Sequence, residues 1–149
     1  MRNDVVLCWL DDGLLRPSHF KLSEFESENG LVVVDPSLVQ SLELTRIELE
    51  RTLDKDIKVD VTSGTRTEED NKRMAERLGW AENGGLVARN SRHLPKFGGI
   101  AADIYARYWH DGAWLAVPQA VLAKACRNHF AYVKADYVDG HVHADNRAA

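Results

Sequence analysis

The chain is poor in cysteine, with only Cys8 and Cys126 among 149 residues. Two distant cysteines make neither a disulfide framework nor a cysteine-based zinc knuckle, so both are expected as reduced, buried thiols. An excess of basic residues is also missing. Lys and Arg number 19 against 23 Asp and Glu, a net charge of -4, which disfavours nucleic acid or an anionic membrane as the main partner. No apolar run approaches the ~20 residues of a membrane span, so no membrane insertion is expected. The N-terminus does not read as a secretory signal: Val5–Leu10 is short, follows Asp4 and is closed by Asp11 and Asp12. Repeats, low-complexity tracts and long linkers do not occur. The length suits one compact domain with one core, and an apolar content of 44% is ordinary for a globular chain.

Residues 19–30 read as a polar lead-in anchored by Phe20, Leu22 and Phe25, and Leu31–Val34 as a short β-prone run. Asp35-Pro36 predicts a helix start, with Asp as the cap and Pro in the first turn. Val39, Leu42, Ile47 and Leu53 share one face of that helix, which Leu44 and Leu49 widen. Ile57–Val61 alternates as a half-buried strand does. Ser63-Gly64-Thr65 turns the chain, and Thr67 caps a second helix that carries Met74 and Leu78 and ends near Gly79, before a loop over 81–90. A strand is predicted over 100–108, a turn at Asp111-Gly112, a strand over 113–117, and a third helix from Pro118 with Val121, Leu122, Ala125 and Phe130 inward and His129 as amphipathic cover. Tyr132-Val133 and His141–His143 read as a closing hairpin with Asp139-Gly140 in its turn. The pattern predicts an α+β fold, helices first and then mostly antiparallel strands. Trp9, Trp80, Trp109 and Trp114 are expected in the core or at its rim.

The chemistry concentrates in two segments, Ser91-Arg92-His93…Gly98-Gly99-Ile100-Ala101-Ala102-Asp103 and Gly140-His141-Val142-His143-Ala144-Asp145. Strand residues two apart point to one face, so His141 and His143 project together. Asp103 from a neighbouring strand and His93 from the preceding loop can meet them. Imidazole nitrogen and carboxylate oxygen are ligand types that zinc accepts, and three protein ligands with one open position suit hydrolysis. Asp145 either bonds a ligand histidine or Arg147, or ends a solvated strand. His19, His110 and His129 are not expected as ligands.

The first segment resembles the zinc motif of the M15 peptidases, Ser-X-His-X-X-Gly-X-Ala-X-Asp. His141-Val142-His143-Ala144-Asp145 is similar to that family's closing motif, and Ser63-Gly64-Thr65-Arg66-Thr67 to its Ser-Gly-X-Arg-Thr segment. Ser18-His19-Phe20 and Ser23-Glu24-Phe25 resemble the start of its small bacteriophage members. The resemblance spans nearly the whole chain. It implies a single domain over 1–149 (a lead-in over 1–30 and a catalytic core over 31–147) with a hedgehog/DD-peptidase-like fold. It also implies Zn2+ held by His93, Asp103 and His143, and Arg66 contacting substrate or the developing oxyanion. Ser91 is a candidate for orienting His93, for capping the loop through its hydroxyl, or for contacting substrate. Two departures stand out. His93 and Asp103 are ten residues apart instead of the usual seven, so Leu94–Phe97 is expected to bulge outside the site. Gly140 stands where many members carry an acid, which leaves His141 and Asp139 as rival general bases.

The implied activity is hydrolysis of a peptide bond in peptidoglycan stem peptides by a lysis enzyme of phage or prophage type, acting as a monomer. Synthesis in the cytoplasm without a signal would require holin-type release or delivery within a virion. The rival reading is a non-catalytic, zinc-stabilised wall-binding or virion module of the same fold. A metal nuclease is a weaker rival that the acidic charge disfavours.

Overall fold

The computed structural model describes residues 4–10, 13–78 and 91–148. Its elements run β1 (Val5–Trp9), β2 (Leu15–Lys21), α1 (Pro36–Leu53), β3 (Ile57–Ser63), α2 (Glu68–Leu78), β4 (Ala101–His110), β5 (Ala113–Ala116), α3 (Gln119–Arg127), β6 (Tyr132–Lys134) and β7 (Val142–Asp145). The architecture is a small single α+β domain. β1 and β2 pair as a two-stranded antiparallel sheet. The main sheet is antiparallel in the order β3-β4-β7-β6, with β5 on the outer part of β4. Helices and strands interleave, which corrects the expected order of helices first.

Local chemistry sets the helix starts. Asp35 accepts from the Ser37 N–H at 2.8 Å, and Pro36 occupies the first turn of α1, where its missing N–H costs nothing. Asp54 ends that helix in the left-handed region (φ 53°). At α2 the Thr67 hydroxyl accepts from the Asp70 N–H at 3.0 Å while the Asp70 carboxylate accepts from the Thr67 N–H at 3.3 Å, a reciprocal cap. Asp111 and Gly112 both take positive φ, 47° and 85°, as a tight β4–β5 turn requires.

Each face of β4 has one job. Ala102, Ile104 and Ala106 are buried against the helices, joined by Leu38, Leu42 and Leu49 of α1, Leu122 and Cys126 of α3, and Val142 and Ala144 of β7. Phe20 and Phe25 are buried as expected, whereas Leu22 is only half-buried. The alternate β4 residues, Asp103 and Tyr105, lie on the opposite face, which carries the chemistry.

Several local expectations give way to tertiary context. Leu31–Val34 forms no strand. Val33 is held instead by the Thr65 hydroxyl, which accepts from its N–H at 2.8 Å and donates to its carbonyl at 3.0 Å. Trp9 is exposed rather than in the core. α3 stops at Arg127, so His129 and Phe130 follow the helix, and His129 meets Glu48 at 3.0 Å. Gly79, Trp80, the 81–90 loop and the side chain of Leu78 lie outside the described residues. Among the described residues no helix is long and apolar enough to cross a membrane.

Both cysteines are buried free thiols, and burial pushes the Cys126 pKa up to about 12. The thiolate is the nucleophile. Neither thiol should therefore react with a disulfide reagent in the native protein, and both should react once the chain unfolds in denaturant. Fast labelling of the native state would contradict this.

Candidate metal centre

Asp103 and His143 are directly opposed in the β4–β7 ladder, and Ser63 faces Asp103 from β3. Adjacent strands therefore hold the carboxylate and one imidazole in fixed register. His93 reaches them from the loop before β4. Leu94 is buried there as an anchor, and a single 3-10 turn over Pro95–Phe97 takes up the extra length outside the site. The expected bulge is present, and the longer His-to-Asp spacing does not separate the two side chains.

The three side chains converge. His93 Nε2 lies 3.1 Å from Asp103 Oδ1 and 3.2 Å from His143 Nδ1, and His143 Nδ1 lies 3.0 Å from the same carboxylate oxygen. Together they can hold a metal ion. Three ligands ~2.0–2.2 Å from a tetrahedral centre are separated by about 3.3–3.6 Å, so the observed triangle is slightly compact.

The outward partners decide which atoms face inward. His93 Nδ1–H donates to the Gly64 carbonyl at 2.7 Å, which leaves the Nε2 lone pair for the centre. His143 Nε2–H donates to Asp145 Oδ2 at 2.7 Å, which turns Nδ1 inward. Asp145 is wholly buried and takes two bonds from the Arg147 guanidinium, at 2.8 and 2.6 Å. The solvated strand end weighed for Asp145 is thus excluded. Two ring lone pairs and a carboxylate oxygen facing one another repel unless a cation sits among them, and this donor chemistry fits a divalent ion.

The electrostatics agree. Burial disfavours charge on Asp103, but His93 and His143 outweigh it and hold the carboxyl well below its ordinary range. Burial lowers the His93 pKa against the pull of Asp103. Burial also opposes charge on His143, yet bonds to Asp103 and Asp145 raise its pKa.

Arg66 is 7% exposed, and its N–H donates to the His93 carbonyl at 2.9 Å. Its guanidinium donates to Ser63 Oγ at 3.1 Å and approaches Asp103 Oδ2 at 3.4 Å, so one Asp103 oxygen faces the imidazoles and the other faces Arg66. Among the described residues the buried Arg66 Nε has no hydrogen-bond partner. Arg66 also lines a cavity of about 100 Å³ with Glu26, Thr62, Asp70 and Met74.

His141 stands just outside the triad, with Nε2 3.9 Å from Asp103 Oδ1. Asp139 does not reach the triad independently. Its Oδ1 accepts from His141 Nδ1 at 2.5 Å and from the His141 N–H at 3.1 Å. Ser91 is buried with its hydroxyl accepting from the His93 N–H at 3.2 Å, which ties the loop backbone rather than the ring. His19 and His110 lie elsewhere, His19 on Glu43 and His110 on Lys55. Sequence reasoning missed the Gly64 carbonyl, Tyr137 and Gln119. Tyr137 stacks on the His141 ring at 3.8 Å, and Gln119 Nε2 donates to the Tyr137 and His141 carbonyls at 3.1 and 2.8 Å. Only the aromatic close to His141 in sequence offered any signal.

Asp145→Ala should lower metal affinity about 10–100-fold, because His143 loses the partner that fixes its tautomer. Chelator competition measures this, and an unchanged affinity would remove Asp145 from the site.

Comparison with models of protein families, with curated proteins and with solved structures finds no match.

Proposed function

We propose that the chain is a zinc-dependent peptidase that cleaves an amide bond in peptidoglycan stem peptides, a small M15-like enzyme of phage type with a hedgehog/DD-peptidase-like fold. The observation that carries the metal reading is the convergence of His93 Nε2, Asp103 Oδ1 and His143 Nδ1 within 3.2 Å, each ring nitrogen freed by an outward hydrogen bond. The substrate class rests on the three motifs that resemble the family. On this reading residues 31–147 form the catalytic core and 1–30 the lead-in. The monomer acts at the cell wall, reached by holin-type release or virion delivery.

His93, Asp103 and His143 would hold the ion. Zn2+ bound there would supply Lewis acidity and lower the pKa of a coordinated water towards ~7. His141, with Nδ1 bonded to Asp139 and Nε2 facing the triad, would accept a proton at Nε2 as water attacks the scissile carbonyl and return it to the leaving amine. The Arg66 guanidinium offsets the charge gathering on the carbonyl oxygen. Asp103 and Arg66 lie beside each other, so Arg66 also orients the carboxylate.

Purified peptidoglycan incubated with zinc-loaded protein tests the proposal. New free amino groups should appear, chelator should stop their release, and mass analysis of the muropeptides should identify the bond. Tight zinc binding without release would indicate the non-catalytic wall-binding or virion module instead.

A further inference from the structure

Resting on the reading of His141 as the base, we propose that Asp139 and Tyr137 are positioning residues that hold its imidazole in one tautomer and one plane. The residues between β6 and β7 leave the sheet as a loop and return at His141. Three contacts fix that return. Asp139 Oδ1 receives two bonds from one residue, the His141 backbone N–H at 3.1 Å and ring Nδ1 at 2.5 Å. A carboxylate is an acceptor only, so Nδ1 carries the hydrogen, and in the neutral ring Nε2 presents its lone pair. Tyr137 lies nearly parallel on the same ring, with centroids 3.8 Å apart and an interplanar angle of 21°, which blocks rotation about the Cβ–ring bond. The loop itself is pinned: the Tyr105 hydroxyl donates to the Asp139 carbonyl at 3.2 Å, and Gln119 holds the carbonyls of Tyr137 and His141.

This arrangement accounts for the missing acid at Gly140. Gly140 has φ 89°, a backbone conformation that L side chains rarely adopt, and it lets Asp139 fold back onto His141. Asp139 is therefore directed at the imidazole, and the two rival bases of the sequence become one unit.

The test uses the zinc-loaded full chain and two readouts. Nitrogen-15 NMR of the histidine rings reports the His141 tautomer without any need for turnover, and peptidoglycan hydrolysis reports kcat and KM. In the wild type His141 should carry its proton on Nδ1. Asp139→Ala should give a mixed tautomer and lower kcat by about tenfold or more, with KM and zinc content unchanged. Asp139→Asn, which keeps an acceptor, should restore most of both signals. Tyr137→Phe should match the wild type, because the stacked ring persists, while Tyr137→Ala should lower kcat. A wild-type His141 protonated on Nε2, or a tautomer that ignores Asp139→Ala, would overturn the proposal. A tautomer that shifts while kcat stays constant would support the positioning and overturn the reading of His141 as the base. Loss of zinc in Asp139→Ala would overturn the proposal in favour of a role in building the metal site.

Discussion

His143→Ala is expected to abolish metal retention and hydrolysis together while leaving the fold in place. His143 is contacted at both ring nitrogens by carboxylates, Asp103 at one and Asp145 at the other. Its removal leaves two ligands, below the three protein ligands of a catalytic zinc site. A metal that binds only the native state stabilises it by about 2.7 kcal/mol at 100 times its Kd. For a chain of this size that raises Tm by roughly 5–10 °C. The wild type should show this shift on titration with zinc, and His143→Ala should show none. His110→Ala, on an exposed histidine far from the triad's hydrogen bonds, should behave as the wild type. An equal zinc-induced shift in His143→Ala would place the ion elsewhere and remove the basis of the proposed function.

The largest expected loss of stability is at Gly99. Its φ is +76°, and a Cβ there would lie 2.3 Å from the Val33 carbonyl oxygen, 2.5 Å from the Val33 carbonyl carbon and 2.6 Å from the Val34 nitrogen. All three are backbone atoms, so no side-chain rotation relieves the clash. The segment cannot withdraw easily, because the Asp35 N–H donates to the Gly99 carbonyl at 2.9 Å just before α1. Left-handed strain of about 1–2 kcal/mol and overpacking of about 1–3 kcal/mol together predict a cost of about 2–5 kcal/mol for Gly99→Ala. Gly98 separates the two causes. Its φ is +84°, but a Cβ there meets nothing within 4 Å, so Gly98→Ala should cost only the strain. Urea unfolding of both variants decides the matter, and equal losses would refute the steric part. Gly99 stands between the 3-10 turn and β4, so Gly99→Ala should also weaken metal binding by shifting Asp103 relative to His93.

Elements coded by short-range chemistry were legible in the chain. Asp35-Pro36 announced α1, Thr67 announced α2, Asp111-Gly112 marked the β4–β5 turn, and the alternation from Ile57 marked β3. In each case the deciding contacts lie within a few residues. Elements that need a distant partner were not legible. Leu31–Val34 has strand composition, but Leu31 is tied to Ser27 and Val33 to the Thr65 side chain, so it joins no ladder. The β1–β2 pair went unread because strand composition alone does not say what a strand pairs with. Phe130 kept its inward side although α3 ends before it, since burial is decided by what the loop packs against.

The donor types that meet in the triad were legible for a similar local reason. The two-residue alternation of a strand puts His141 and His143 on one side, and the imidazole and carboxylate donors are spelled out in the sequence. Their use was decided elsewhere in the fold. The β4–β7 register sets Asp103 opposite His143. The Gly64 carbonyl, far from His93 in the chain, turns its Nε2 inward. The positive φ of Gly140 bends Asp139 back onto His141 and so sets that imidazole apart from the triad. A side chain's identity is a property of one position, but its tautomer, rotamer and protonation depend on partners that only folding brings within hydrogen-bonding range.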